Sequence, residues 1–205
     1  MGMDLVSDIN EGYKTAMNYD YIDRFIVKVG WAHLLVIIVL IFTNAVFKMA
    51  EHIPNPYSWR VISIPEAVGA GIIALAATLI MALFRGRLKN HYLWRILVMF
   101  CLTLYSYVLV FLSGGAIEMH FHFFIMAMLL CVYSDWRLGW FLLVLTGLHH
   151  AILNYVAPSW VYFYGRNDFS LVAHAVPVLV AVIFTTMICE NNRKAIISIM
   201  LKQKG

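Results

Sequence analysis

Charged side chains are scarce in this sequence: Asp, Glu, Lys and Arg together make up 13% of its 205 residues, about half the share usual in a soluble domain. With 62% hydrophobic residues and a mean hydropathy of +0.80, the chain cannot cover its surface with polar groups, which excludes a soluble globular fold. Cysteine is equally sparse. Cys101, Cys131 and Cys189 fall in three different apolar stretches and make no CxxC pair, so they read as buried thiols rather than a zinc or redox motif. The first residues, MGMDLVSDINEGYK, are polar and partly acidic and do not read as a signal peptide. Neither an internal repeat nor a low-complexity tract stands out. Six membrane spans of about 20 residues use about 120 positions, which leaves no length for a separate soluble catalytic domain.

What is present is a succession of apolar stretches at 25–47, 64–84, 92–112, 116–133, 138–156 and 169–189. They predict an all-α, polytopic bundle of six transmembrane helices, with a segment 1–24 before it and a helical connector 190–205 after it. Ser63-Ile64-Pro65-Glu66 has the form of a capping box with proline in the first turn of the second helix. The small residues Ala67/Gly71 and Ala70/Ala74 suit close helix packing there. Asn167 and Asp168 cap the sixth helix in this reading, and Pro177 marks a kink in it.

An even number of spans puts both ends on one side. If that side is the cytoplasm, twelve of the fifteen basic residues lie inside and only Lys48, Arg60 and Arg166 lie outside. The positive-inside rule therefore predicts N-in, C-in. The net charge of +4 and the pI near 9.0 then mark topology and contact with anionic lipid rather than nucleic-acid binding.

Histidine carries the functional information. His52 and His91 fall in loops or at interfaces and are given no role. His33, His120, His122, His149, His150 and His174 lie within spans, and Glu118 joins them. Ionisable groups at membrane depth are costly and point to function. In the N-in, C-in orientation five of these histidines fall in one slab of the outer leaflet, with His33 deeper. Glu118 and His122, four apart, share a helix face, whereas His120 is turned about 200° from both. Either the fourth span starts irregularly after Ser113-Gly114-Gly115 or the ligands serve two neighbouring centres. His149 and His150, about 100° apart, divide in the same way.

Imidazole with one carboxylate suits zinc, copper or iron, in one centre or a dinuclear pair. Haem b held by two histidines and a proton relay are the other chemistries this set allows. Asn154, four residues after His150, is a candidate second-shell hydrogen-bonding partner for it. Asp135-Trp136-Arg137 forms a tight inner turn with a helix cap and an interfacial Trp, and can transmit movement between the helices it joins. Phe121, Phe123, Phe124, Tyr155, Trp160, Tyr162 and Tyr164 read as lipid-facing or belt residues.

The strings Gly114-Gly115-Ala116-Ile117-Glu118-Met119-His120-Phe121-His122-Phe123-Phe124, Tyr133-Ser134-Asp135-Trp136-Arg137 and His149-His150, with Pro158, Val161-Tyr162, His174 and Trp31-Ala32-His33, cover nearly the whole chain. They resemble the histidine-rich membrane sensor modules at the N-termini of bacterial chemoreceptors, diguanylate cyclases, adenylate cyclases and sensor kinases. The resemblance implies a signal-input module of the bacterial inner membrane, without a catalytic domain of its own. It also implies a bound transition metal or haem, with His33, Glu118, His120, His122, His149, His150 and His174 as ligand candidates. Tyr133, Asp135, Trp136 and Asn154 would support the site or transmit the signal. A homodimer and a cytoplasmic output domain beyond this sequence are the expected partners. The competing expectations are a membrane di-iron oxidoreductase, whose histidine boxes differ from HxH plus HH, and a metal transporter, which needs ligands along a path through the bilayer.

Overall fold

The computed structural model describes residues 12–13, 17–47, 62–88, 91–162, 165–166 and 168–204. His52, Tyr164, Asn167 and the outer basic residues Lys48 and Arg60 lie outside the described residues. The predicted six helices are present: α1 (Tyr19–Phe47), α2 (Ile64–Phe84), α3 (Tyr92–Leu112), α4 (Ile117–Leu130), α5 (Trp136–Val156) and α6 (Asp168–Lys204). Short 3₁₀ turns at Cys131–Tyr133 and Pro158–Trp160 follow α4 and α5, and no strand occurs among the described residues. Among the described residues, five helices are long and apolar enough to cross a bilayer, and α4 with its 3₁₀ turn is a shorter apolar helix. The coarse architecture is that of a multi-pass membrane protein.

Local chemistry fixes the helix ends. The capping box of α2 forms as expected: Ser63 N–H donates to Glu66 Oε2 at 3.0 Å, and Glu66 N–H donates to Ser63 Oγ at 3.4 Å. His91, without a role in the sequence reading, caps α3 by accepting from Leu93 N–H at 3.2 Å. Asp135 caps α5 by accepting from Arg137 N–H at 3.3 Å. One boundary differs from expectation. α1 begins at Tyr19 rather than 25, because Asp20 and Arg24 pair one turn apart and carry the helix through its polar start. α6 continues past 189 as the expected helical connector and runs unbroken through Pro177 to Lys204, 37 residues or about 55 Å.

α3 is the central helix, with Trp94, Val98, Leu102, Tyr105 and Leu109 all buried in the core. α2 presents Ala67, Ala70, Ala74 and Ala77 inward, so that backbones approach closely; a Cβ on Gly71 would stand 3.1 Å from Ile41 of α1. The outer faces carry large apolar residues, including Leu35, Ile72, Ile125, Leu148 and Phe184, the reverse of a soluble bundle. The start of α1, the end of α2, the start of α3 and the α4–α5 turn meet at one end. There Arg85 pairs with Asp20 at 3.2 Å and Arg95 approaches Asp135 at 3.6 Å. Thr185 of α6 lies level with that end, since its carbonyl is 3.8 Å from Cys131 Sγ.

Candidate functional site: two histidine groups at one end of the bundle

The end opposite the charges is built on glycine. α3 terminates in a Schellman turn, with Gly114 at φ 66°, Gly114 N–H donating to Phe111 O at 3.0 Å and Gly115 N–H to Val110 O at 2.9 Å. Gly115 has φ 81°, and a Cβ there would lie 2.7 Å from the backbone of Val161 and Tyr162. Only glycine therefore lets the α3–α4 loop close onto the α5–α6 connection. That contact seats the Tyr162 ring among the histidines.

α4 is helical from Ile117, so His120 and His122 face different neighbours. His120 meets His150 of α5 and His174 of α6, with ring centres 5.3 and 4.8 Å away, and His150 and His174 are 6.1 Å apart. The Tyr162 ring closes the group, 5.3–6.3 Å from the three imidazoles. His120 Nδ1–H donates to Ala116 O at 2.9 Å, and His150 Nδ1–H donates to Thr146 O at 2.8 Å. In the neutral rings this leaves the lone pair on Nε2. Both Nε2 atoms are buried and have no hydrogen-bond partner. Among the described residues, no three or more His, Cys, Asp and Glu side chains have donor atoms already gathered as around an ion.

His122 belongs to a second group. Its Nε2 is 2.9 Å from Nε2 of His33, and its Nδ1 is 2.8 Å from Ser106 Oγ. His33 Nδ1–H donates to Val29 O at 2.7 Å. That bond sets the direction of the rest: Ser106 donates to His122 Nδ1, and His122 Nε2–H donates to His33 Nε2. His33 also stacks on Tyr105, whose hydroxyl donates to Thr78 Oγ1 at 2.6 Å while Thr78 donates to Ala74 O. α1, α2, α3 and α4 are thus joined in one polar chain. His149 adjoins the first group, with its ring 5.2 Å from that of His150, but it stacks face to face on Tyr107 at 3.9 Å, and its Nδ1 is buried and unpartnered.

Other predicted residues fall elsewhere. Glu118 is exposed in the first turn of α4. Asn154, expected beside His150, directs its side-chain N–H to Asp168 Oδ1 at 2.8 Å, while His150 Nδ1 is bonded to Thr146; Asn154 therefore ties the end of α5 to the start of α6. Tyr133, Asp135 and Trp136 lie at the charged end: Tyr133 OH donates to the buried Asp23 at 2.9 Å, Arg137 forks onto Asp135 at 2.9 and 3.0 Å, and Trp136 is exposed. Phe121, Tyr155 and Trp160 face outward as expected, but Phe123 and Tyr162 do not; both are buried against the histidines because the folded-in loop and α4 turn them inward.

Sequence reasoning missed Asp23, Ser106, Tyr105 and Tyr107. Their signal was present as an acid one turn into the first helix and as hydroxyls inside the third, in Thr103-Leu104-Tyr105-Ser106-Tyr107. No family model, curated protein or solved structure matches the chain.

Proposed function

We propose that this chain is a membrane-embedded sensor module in which His120, His150 and His174 hold one transition-metal ion and α6 carries the consequence to the cytoplasm. The observation that carries the reading is the pair of buried Nε2 atoms on His120 and His150. Each is left as a bare lone pair by the Nδ1–H bond to a carbonyl of its own helix, the bond that commonly fixes the tautomer and ring direction of a metal-binding histidine. Spacing supports an ion. Three imidazoles around a tetrahedral ion, with metal–nitrogen bonds of about 2.0–2.1 Å, put ring centres about 5.2 Å apart. The observed separations are 4.8, 5.3 and 6.1 Å, within a side-chain rotation of that figure. The same crowding, with Tyr162 against all three rings, argues against haem b, whose flat macrocycle needs clear space between two axial ligands.

A bound ion supplies one coordination position that three histidines leave open. His174 sits on α6, which runs on past the charged end of the bundle with Ile196 still packed against the core. Beyond Thr185, α6 continues for 19 residues to Lys204, about 28 Å. A small shift of His174 therefore moves a long lever. The charges gathered at that end, with Arg193, Lys194 and Lys202 on the lever itself, support a cytoplasmic location for it, hence N-in, C-in in a bacterial inner membrane. A cytoplasmic output domain and a second copy of the chain are the partners in this reading. Copper, zinc and iron all accept imidazole. Metal analysis and a visible spectrum of the detergent-purified protein test the proposal. About one equivalent of metal and no Soret band are expected; a Soret band, or protein without metal after gentle preparation, overturns it.

A further inference from the structure

A cavity of about 290 Å³ lies between α4, α5 and α6, directly against the three histidines. Apart from them and Thr146 its walls are apolar, among them Phe124, Leu143, Leu171 and Pro177. Thr146 contributes a second observation. A helical threonine usually bonds to the carbonyl a turn back, yet Thr146 Oγ1 is buried and has no partner. The wall at Gly147 is missing altogether, since a Cβ there would meet nothing within 4 Å. Phe121 and Pro177 at the rim are exposed on the outside of the bundle, where the apolar surface faces lipid.

We infer that this chamber takes a small, neutral, membrane-soluble ligand, with one nitrogen or oxygen donor aimed at the open metal position beside Thr146 and an apolar body lying over Gly147. The inference rests on the three-histidine metal reading. Volume sets the size: an apolar cavity of about 150 Å³ holds benzene, so this one takes a body of about two rings. Chemistry sets the polarity, because a charged ligand would have to be desolvated against apolar walls, whereas a neutral one reaches the chamber through lipid.

The test uses 4-phenylimidazole as probe and imidazole as the same donor without the apolar body. Both are titrated by calorimetry into the metal-loaded full chain in detergent, with metal content measured on each sample. 4-Phenylimidazole is expected to bind on the order of tenfold or more tighter than imidazole, from burial of its phenyl ring. Gly147→Leu, whose Cβ enters open space and which removes no histidine, should keep its metal and lose most of that preference. Gly147→Ala, a smaller filling, should lose part of it and serves where the Leu variant does not hold metal. Equal preference in wild type and filled variants, or no preference in metal-loaded wild type, overturns the chamber assignment alone. Wild-type protein without metal overturns the metal reading and this inference together.

Discussion

His120 and His150 each give Nδ1–H to a carbonyl one turn back on their own helices, and each keeps a buried Nε2 without a hydrogen-bond partner. His122, two residues from His120, has both nitrogens engaged, by Ser106 and His33. Substitution should separate these roles. Replacing His120 or His150 with Ala is expected to lower bound metal from about one equivalent to near zero, because losing one of three protein ligands leaves too few to hold the ion. Replacing His122 with Ala is expected to leave the metal in place while weakening the polar chain that joins α1 to α4; metal analysis of the purified variants decides. Glycine offers a second contrast. Gly115 and Gly165 share φ 81°, but a Cβ on Gly115 would run into backbone at 2.7 Å whereas one on Gly165 meets open space. Gly165→Ala should cost about 1–2 kcal/mol, the price of a left-handed alanine, and Gly115→Ala clearly more. Thermal melting in detergent, compared between the two, isolates the packing contribution.

Helices fold here for reasons mostly visible in the sequence. Apolar run lengths give the six elements, and Ser63-Ile64-Pro65-Glu66 and Asp135 mark starts that the structure realises atom for atom. The continuation of α6 past 189 was legible as the last span running on as a helix, because backbone hydrogen bonding persists where residue hydropathy falls. The 200° between His120 and His122 was also legible, and a regular α4 realises it as two groups. Which aromatics turn inward was not legible. Tyr162 depends on a loop contact made possible at Gly115, 47 residues earlier, and no local pattern carries that. Asp23 was overlooked because its partner, Tyr133 OH, lies 110 positions away. For the α4–α5 turn, Asp135→Ala is expected to destabilise by about 1–2 kcal/mol through the lost cap alone, more with the Arg137 fork gone, while Asp135→Asn keeps the cap acceptor and costs less. Chemical denaturation or melting curves of the two variants give the comparison.

The described residues have two unlike ends, one with most of the ion pairs and the last turns of α6, the other with glycine turns over histidine and the single Arg166–Asp168 pair. In a bilayer that polarity predicts sidedness. A cysteine placed at exposed Ser159, in the turn after α5, should react with a membrane-impermeant maleimide on intact cells. One placed at exposed Ser198, on the last turns of α6, should react only after permeabilisation. The reverse pattern would invert the assigned topology and put the lever outside the cell. X-ray absorption at the edge of the bound metal tests the central claim most directly. Three nitrogen scatterers at about 2.0–2.1 Å with the outer-shell signature of imidazole, and an absorption edge that disappears with the metal after His150→Ala, are what a three-histidine centre predicts. Sulfur scatterers, a porphyrin nitrogen shell, or a spectrum unchanged by His150→Ala would contradict it.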